Sequence, residues 1–214
     1  MIYFDTPTKI RAREITIFDI YQREFSMKMP ADKQYWTLGG PSYDRVRIHK
    51  DCELYQAEKI GIIKREQFHS VDIKESVTNN NRNIKDAHWY QGDFLDAMKL
   101  AHHYGQFNPG VINCDLFNMV RLGASYFSRI MDFLVVAEVK NCLAIGNFVF
   151  ESPHEHNTVS FNGDMEIIHE YISKLPGISR ACANGWIWPT HTLKYYSVRK
   201  NQRNHMLSIV LFNK

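Results

Sequence analysis

The apolar residues of this chain follow two spacings that alternate along its length. Helical spacing predicts helices in the first thirty or so residues and in segments 51–66, 94–105, 119–139 and 164–175. Short β-branched, aromatic or alternating runs predict strands, and these read QYWTL, QFHSVDI, HWYQ, GVINCDLF and CLAIGNFVFE. Two last runs, TLKYYSV and HMLSIVLF, are joined by RKNQRN and predict a terminal β-hairpin.

This order of elements predicts an α/β fold. Strands that alternate with helices form a mostly parallel, doubly wound sheet with helices on both faces, and the final hairpin adds antiparallel strands. We expect a single domain over residues 1–214, with residues 1–34 as a helical extension at its N-terminus.

Glycines and carboxylates occupy the predicted ends of successive strands. Gly39 and Gly40 end the first strand, while Asp72, Asp93 and Asp115 end the next three. In an open α/β sheet, ligands bind outside the carboxyl ends of the strands. Glycines allow the backbone to approach a ligand closely, and a strand-end acid can accept hydrogen bonds from a ribose diol. The arrangement therefore indicates an adenosine-containing cofactor.

With these residues the chain resembles the class I S-adenosylmethionine-dependent methyltransferases over residues 35–214. The resemblance implies a Rossmann-like sheet, S-adenosyl-L-methionine as the cofactor and methyl transfer as the activity. The family has a glycine-rich loop after its first strand, and Gly39 and Gly40 in WTLGGP take that position. The loop is degenerate, because the family pattern is acid-x-Gly-x-Gly-x-Gly and Thr37 stands where the acid would be.

The resemblance also implies a role for each strand-end acid. Asp72 corresponds to the acid that holds the ribose, and Asp93 to the carboxylate that addresses the adenine, with Phe94 able to pack on the base. The segment NCDLFN around Asp115 lies where the methyl acceptor binds, which makes Asp115 the candidate catalytic residue.

Composition narrows the setting of the protein without identifying its substrate. The chain has 214 residues, 44% of them hydrophobic and 23% charged, which is ordinary for a globular protein. It contains no apolar run of membrane-spanning length, and its charged N-terminus argues against a signal peptide. Cys52, Cys114, Cys142 and Cys182 are widely spaced, so we expect four buried free thiols and a cytoplasmic protein.

Two alternatives to methyl transfer remain open at this stage. If the stretch DFLVVAEVK is a strand, Glu138 and Lys140 form the Glu-x-Lys of a metal-dependent nuclease, with Asp115 as the upstream acid. The other alternative is a non-catalytic binding protein on the same fold. His154 and His156 have no evident third ligand, so no metal site is predicted.

The basic segment RKNQRN and the nearby aromatic residues bear on the partner. Positive side chains can contact phosphates and aromatic rings can stack on bases, so a nucleic-acid substrate is slightly favoured over a protein or a small molecule. The net charge of +3 permits such a substrate but does not by itself indicate one.

Overall fold

One seven-stranded sheet runs through the protein in this computed structural model, which describes residues 7–38, 52–82, 84–151, 165–188, 193–199 and 202–214. The strands are β1 (Gln34–Leu38), β2 (Phe68–Asp72), β3 (His88–Gln91), β4 (Pro109–Met119), β5 (Cys142–Glu151), β6 (Leu193–Arg199) and β7 (Gln202–Asn213). Their order across the sheet is β3-β2-β1-β4-β5-β7-β6.

The sheet is parallel except at β7. Strand β1 pairs in parallel with β2 and β4, and the pairs β2–β3 and β4–β5 are also parallel. Strand β7 runs antiparallel to both β5 and β6, so the predicted hairpin closes this side of the sheet. The strand order changes direction between β1 and β4, and such a switch point opens a crevice at the carboxyl ends of the strands. The predicted Rossmann-like α/β fold is confirmed.

Eight α-helices are described. They are α1 (Pro7–Arg13), α2 (Ile20–Glu24), α3 (Glu53–Ile60), α4 (Glu75–Asn81), α5 (Phe94–His103), α6 (Val120–Val136), α7 (Met165–Ser173) and α8 (Pro176–Ala183). A π-helical stretch, Glu14–Asp19, joins α1 to α2. None of the helices in the described ranges is long and apolar enough to cross a membrane.

The two faces of the sheet carry separate cores because neighbouring residues of a strand point in opposite directions. Trp36 and Ile112 belong to a core shared with α5, α6, α7 and α8. Tyr35 and Val111 belong to a second core, shared with α3 and the N-terminal helical segments. Helices on both faces are what a parallel sheet needs to bury its apolar strands.

Three sequence expectations about local structure are corrected. Helix α8 was not expected at all, and α6 ends at Val136 rather than near Val139. Of the four cysteines, Cys182 is exposed, whereas the other three are buried free thiols. Cys182 lies on α8, and only the packing of that helix decides which of its faces meets solvent.

Gly177 marks the closest approach between α8 and α6. A Cβ built on Gly177 would lie 1.8 Å from the carbonyl oxygen of Ser128, which is backbone and cannot turn away. The backbone amide of Gly177 also donates to Ser128 Oγ at 2.9 Å, in a buried position.

We predict that Gly177→Ala destabilises the fold by about 1–3 kcal/mol or more, since α8 must shift to admit the methyl group. Urea unfolding followed by circular dichroism measures the change. Ser179→Ala, at an exposed position of the same helix, is the matched control and is expected to stay within about 0.5 kcal/mol of the wild type. Equal stability of the two variants would contradict the close packing.

Candidate functional site

Asp72 ends β2 at the carboxyl edge of the sheet. Its carboxylate Oδ1 accepts a hydrogen bond from the backbone amide of Lys74 at 2.7 Å, as in a turn formed by an Asp side chain. Its carbonyl oxygen accepts from the backbone amide of Gly92 at 3.1 Å. The Asp72 side chain is half-buried, so part of it is accessible to solvent at the carboxyl edge of the sheet.

Asp93 begins helix α5 directly after β3. Its Oδ1 accepts from the backbone amide of Asp96 at 3.1 Å and so caps the helix. The hydroxyl of Tyr126, on α6, lies 3.0 Å from Oδ1 and 2.9 Å from Oδ2 of the same carboxylate. The Tyr126 hydroxyl also accepts from the backbone amide of Leu95 at 3.0 Å.

The pairing of β2 with β3 brings these two acids to one edge. Asp72 is in register with Gln91, so Asp93 follows only two residues beyond that pair. Adjacent strands lie about 4.8 Å apart. The two residues therefore lie at the ends of neighbouring strands along the carboxyl edge.

Asp115 lies within β4, on the other side of the switch point, and the expectation that it ends its strand is wrong because β4 continues to Met119. It is half-buried and in register with Asn147 of β5. Because residues two apart in a strand face the same way, Asp115 is on the same face of the sheet as Asn113.

The remaining sequence candidates are placed differently. The Phe94 ring is fully buried in the core beneath α5 and α6, so it stabilises the fold and is not presented to a ligand in this structure. Gly39 and Gly40 lie outside the described residues.

A buried carboxylate that the sequence did not single out lies at the start of α3. Glu53 is 7% exposed. Its Oε1 accepts from the hydroxyl of Tyr35 at 2.6 Å and from the side-chain amide of Asn113 at 2.8 Å. Its Oε2 accepts from the hydroxyl of Thr37 at 3.1 Å. One carboxylate thus joins α3 to β1 and β4 near their carboxyl ends.

Charge and further hydrogen bonds extend this buried network. Arg13 lies 3.7 Å from Glu53 Oε2, with both side chains almost entirely buried. In the other direction, Asn147 donates its side-chain amide to Asn113 Oδ1 at 2.9 Å, and Ser208 donates its hydroxyl to Asn147 Oδ1. The network therefore crosses the sheet from β1 through β4 and β5 to β7.

The electrostatics of Glu53 reflect competing effects. Burial raises the pKa of Glu53 above its usual value, while Arg13 and the donated hydrogen bonds of Tyr35 and Asn113 oppose that shift. The nearby charge of Asp115 also raises the pKa of Glu53, so the two carboxylates are close enough to interact.

An aromatic row crosses the opposite face of the sheet. The rings of Trp36 and His69 stack with centroids 4.8 Å apart, and those of His69 and His88 stack at 4.3 Å. His69 Nδ1 and the Tyr90 hydroxyl share a hydrogen bond of 3.0 Å. Burial, with a smaller contribution from His88, lowers the pKa of His69 to about 3, so this imidazole is neutral at physiological pH.

The nuclease interpretation needed a strand over residues 133–140, and this expectation is wrong. Helix α6 covers the first half of that stretch, and Glu138 follows it with a left-handed φ of 53°. Lys140 precedes β5 at the amino edge of the sheet, where its carbonyl accepts from Lys33 at 2.7 Å. Asp115 lies six residues into β4, about 20 Å from that edge. Asp115, Glu138 and Lys140 therefore do not share a site.

Within the described part of the chain, no group of three or more His, Cys, Asp or Glu residues is arranged to hold a metal ion. His154 and His156 lie outside that part.

Two tryptophans that lie two positions apart in the sequence have separate environments. Trp186 is buried in the core, whereas Trp188 is half-buried and stacks on His169 at a centroid distance of 5.1 Å.

Comparisons with known proteins agree with this fold. No protein-family model and no curated protein match the chain in sequence. Among solved structures, a proposed SAM-dependent methyltransferase from Streptococcus mutans matches at a TM-score of 0.54 and 10% identity, over 97% of this chain and 49% of that one. At this identity the likeness concerns the fold alone.

Two further structures are less similar. TrmN from Thermus thermophilus matches at a TM-score of 0.43 and 12% identity, over 92% of this chain and 48% of that one. The 16S rRNA methylase ArmA matches at 0.40 and 14%, over 95% and 85%. The chain spans about half the length of the first two structures. The strand order and the Streptococcus mutans structure together identify the class I methyltransferase fold.

We predict that Glu53→Ala costs about 3–5 kcal/mol, because it leaves Arg13 and three buried donors without their shared acceptor. Urea unfolding measures the cost. Glu58→Ala on the same helix is the control, since Glu58 makes a partly buried bidentate pair with Arg65 whose groups still reach solvent, and its loss should cost less than that of Glu53. A cost for Glu53→Ala no larger than that of Glu58→Ala would contradict the role assigned to the network.

We also predict that His69 makes the protein sensitive to acid. Its pKa is about 3 in the fold and about 6.5 in the unfolded chain, so between these values the unfolded state binds more protons. The contribution of His69 to the free energy of unfolding is fully present above pH 6.5. It decreases as the pH drops towards 3, by at most about 1.4 kcal/mol per pH unit.

The test compares urea unfolding between pH 7 and pH 4. His69→Gln should show a shallower loss than the wild type, whereas His102→Gln, at an exposed position of α5, should follow the wild type. A His69→Gln variant with the full wild-type slope would rule out this assignment.

Proposed function

We propose that this chain, which has the fold of the class I methyltransferases, binds S-adenosyl-L-methionine and transfers its methyl group to an acceptor. The observation that carries the proposal is that Asp72 and Asp93 lie at the carboxyl ends of the neighbouring strands β2 and β3. This is the edge at which an α/β sheet of this order binds its ligands.

In this proposal, Asp72 accepts hydrogen bonds from the ribose hydroxyls. The backbone amide of Lys74 holds Oδ1, which fixes the side chain and directs Oδ2 to the ligand. Because the carboxylate is already held in one orientation, it loses little conformational entropy when it accepts charge-assisted hydrogen bonds from a ligand.

Asp93 would accept a hydrogen bond from the exocyclic amine of the adenine. The Gly39–Gly40 segment would approach the cofactor with its backbone, as glycines permit. We leave Phe94 out of the proposed contacts because its ring is buried in the core.

Asp115 is the proposed residue at the methyl acceptor. During transfer, the acceptor atom forms a bond to the methyl carbon as the bond from that carbon to the sulfonium sulfur breaks. Positioning supplies much of the acceleration of such an in-line displacement. Asp115 would orient the acceptor or take the proton that the acceptor loses.

A nucleic acid is the acceptor we favour. The support is chemical, since Arg199, Lys200 and Arg203 carry three positive charges within the six residues RKNQRN, which run from the last residue of β6 into the start of β7.

We predict that wild-type protein binds S-adenosylmethionine and S-adenosylhomocysteine in calorimetry, and that Asp72→Asn weakens both by about tenfold or more. Asparagine can keep the bond to the Lys74 amide but loses the charge, and hydrogen bonds to charged groups contribute about 1.5–3 kcal/mol.

Asp132→Asn is the matched control. It removes a carboxylate that pairs with Arg180 at the surface, and binding should be unchanged. Absence of binding by the wild type would refute the proposed function. Binding without methyl transfer to any nucleic acid would instead support a non-catalytic protein on this fold.

A further inference from the structure

The hydroxyl of Tyr126 makes three contacts at the start of α5. It donates to the Asp93 carboxylate, at 3.0 Å from Oδ1 and 2.9 Å from Oδ2, and it accepts from the Leu95 amide at 3.0 Å. Tyr126 belongs to α6, so these bonds link two helices that are far apart in sequence. Arg129 lies over the ring at 5.8 Å from its centroid and packs against it from the same helix.

The helix cap alone does not require this tyrosine. Asp93 Oδ1 already caps α5 through the Asp96 amide, and a capping Asp is effective by itself. What Tyr126 adds is a second restraint on the position of the carboxylate, because its hydroxyl lies within hydrogen-bond distance of both oxygens.

The direction of these hydrogen bonds is also defined. Burial and the adjacent Asp93 charge raise the pKa of Tyr126, so its hydroxyl keeps its proton at neutral pH. The single proton is used towards Asp93, because the other partner, Leu95, is itself a donor. The Tyr126 hydroxyl therefore presents its proton to Asp93 and leaves the carboxylate oxygens as acceptors for a further ligand.

We propose that Tyr126 is a positioning residue that holds Asp93 as a fixed acceptor, and that this pair selects a purine with a 6-amino group over one with a 6-oxo group. The proposal rests on the proposed function, since Asp93 is taken there to face the adenine. A 6-amino group donates a hydrogen bond to the carboxylate. A 6-oxo oxygen is itself an acceptor, so it would face the carboxylate without forming a hydrogen bond.

The experiment is calorimetry with S-adenosylhomocysteine and S-inosylhomocysteine, which differ at this position of the base. Wild type should prefer the adenosyl ligand, and Tyr126→Phe should weaken adenosyl binding by about tenfold while it changes inosyl binding much less. The ratio of the two affinities is the readout, because a general loss of structure would lower both.

Ser128→Ala is the matched control for Tyr126→Phe. It also removes a hydroxyl of α6 that accepts from a backbone amide in the first turn of another helix, that of Gly177. The ratio should keep its wild-type value in Ser128→Ala even if the melting temperature falls. Asp93→Asn, which retains a capping residue and introduces a donor, should shift the preference towards the inosyl ligand.

The outcomes separate the two proposals. If the wild type binds neither ligand, the proposed function fails and the inference fails with it. If the wild type prefers the adenosyl ligand and Tyr126→Phe keeps the same ratio, the proposed function stands and the inference is wrong. An equal loss for both ligands in Tyr126→Phe would also overturn it, since that result shows only a structural role.

Discussion

The buried carboxylate of Glu53 is the interaction on which the carboxyl edge of the sheet depends. An isolated carboxylate in a protein interior is strongly disfavoured, and burial does raise the pKa of this one. It is tolerated because Tyr35, Thr37 and Asn113 donate to it and Arg13 lies beside it. Each donor belongs to a strand of the sheet, so satisfying one carboxylate fixes α3 against β1 and β4.

This constraint reaches the proposed site through the same strands. Strand β1 ends one residue after Thr37, and Asp115 follows Asn113 on the same face of β4. The part of the proposed site that would bind adenosine is held by other contacts. The Tyr126 hydroxyl of α6 donates to Asp93, and the backbone amide of Lys74 donates to Asp72. The buried polar network thus spans the switch point between β1 and β4, and the two restrained carboxylates lie beside it at the ends of β2 and β3.

Some of the candidate site could be found from sequence because it depends on local rules. Asp72 and Asp93 were found as acids at the ends of short strands, and parallel strands bring their carboxyl ends to one edge. Glu53 was not found, because an acid in the first turn of a helix is common and favourable without any further partner. Tyr126 was not found either, since its partners lie 31 and 33 positions away and no local pattern marks such contacts. The nuclease hypothesis failed because a local pattern was ambiguous. The apolar run before Glu138 suits a strand as well as a buried helix.

The sequence by itself determined the order of the seven strands, the terminal hairpin and the acids at the carboxyl ends of β2 and β3, but not the end of β4, which continues beyond Asp115 to Met119. These features follow from hydrophobic periodicity and from the residues that break it, both of which act over a few neighbouring positions. Only the tertiary structure decided that β1 lies between β2 and β4, that Phe94 is buried while Asp93 reaches the edge, and that Glu53, Asn113, Asn147 and Ser208 form one network. The physical reason is that a buried polar group must find its partner in space, and the distance along the chain does not determine where that partner is.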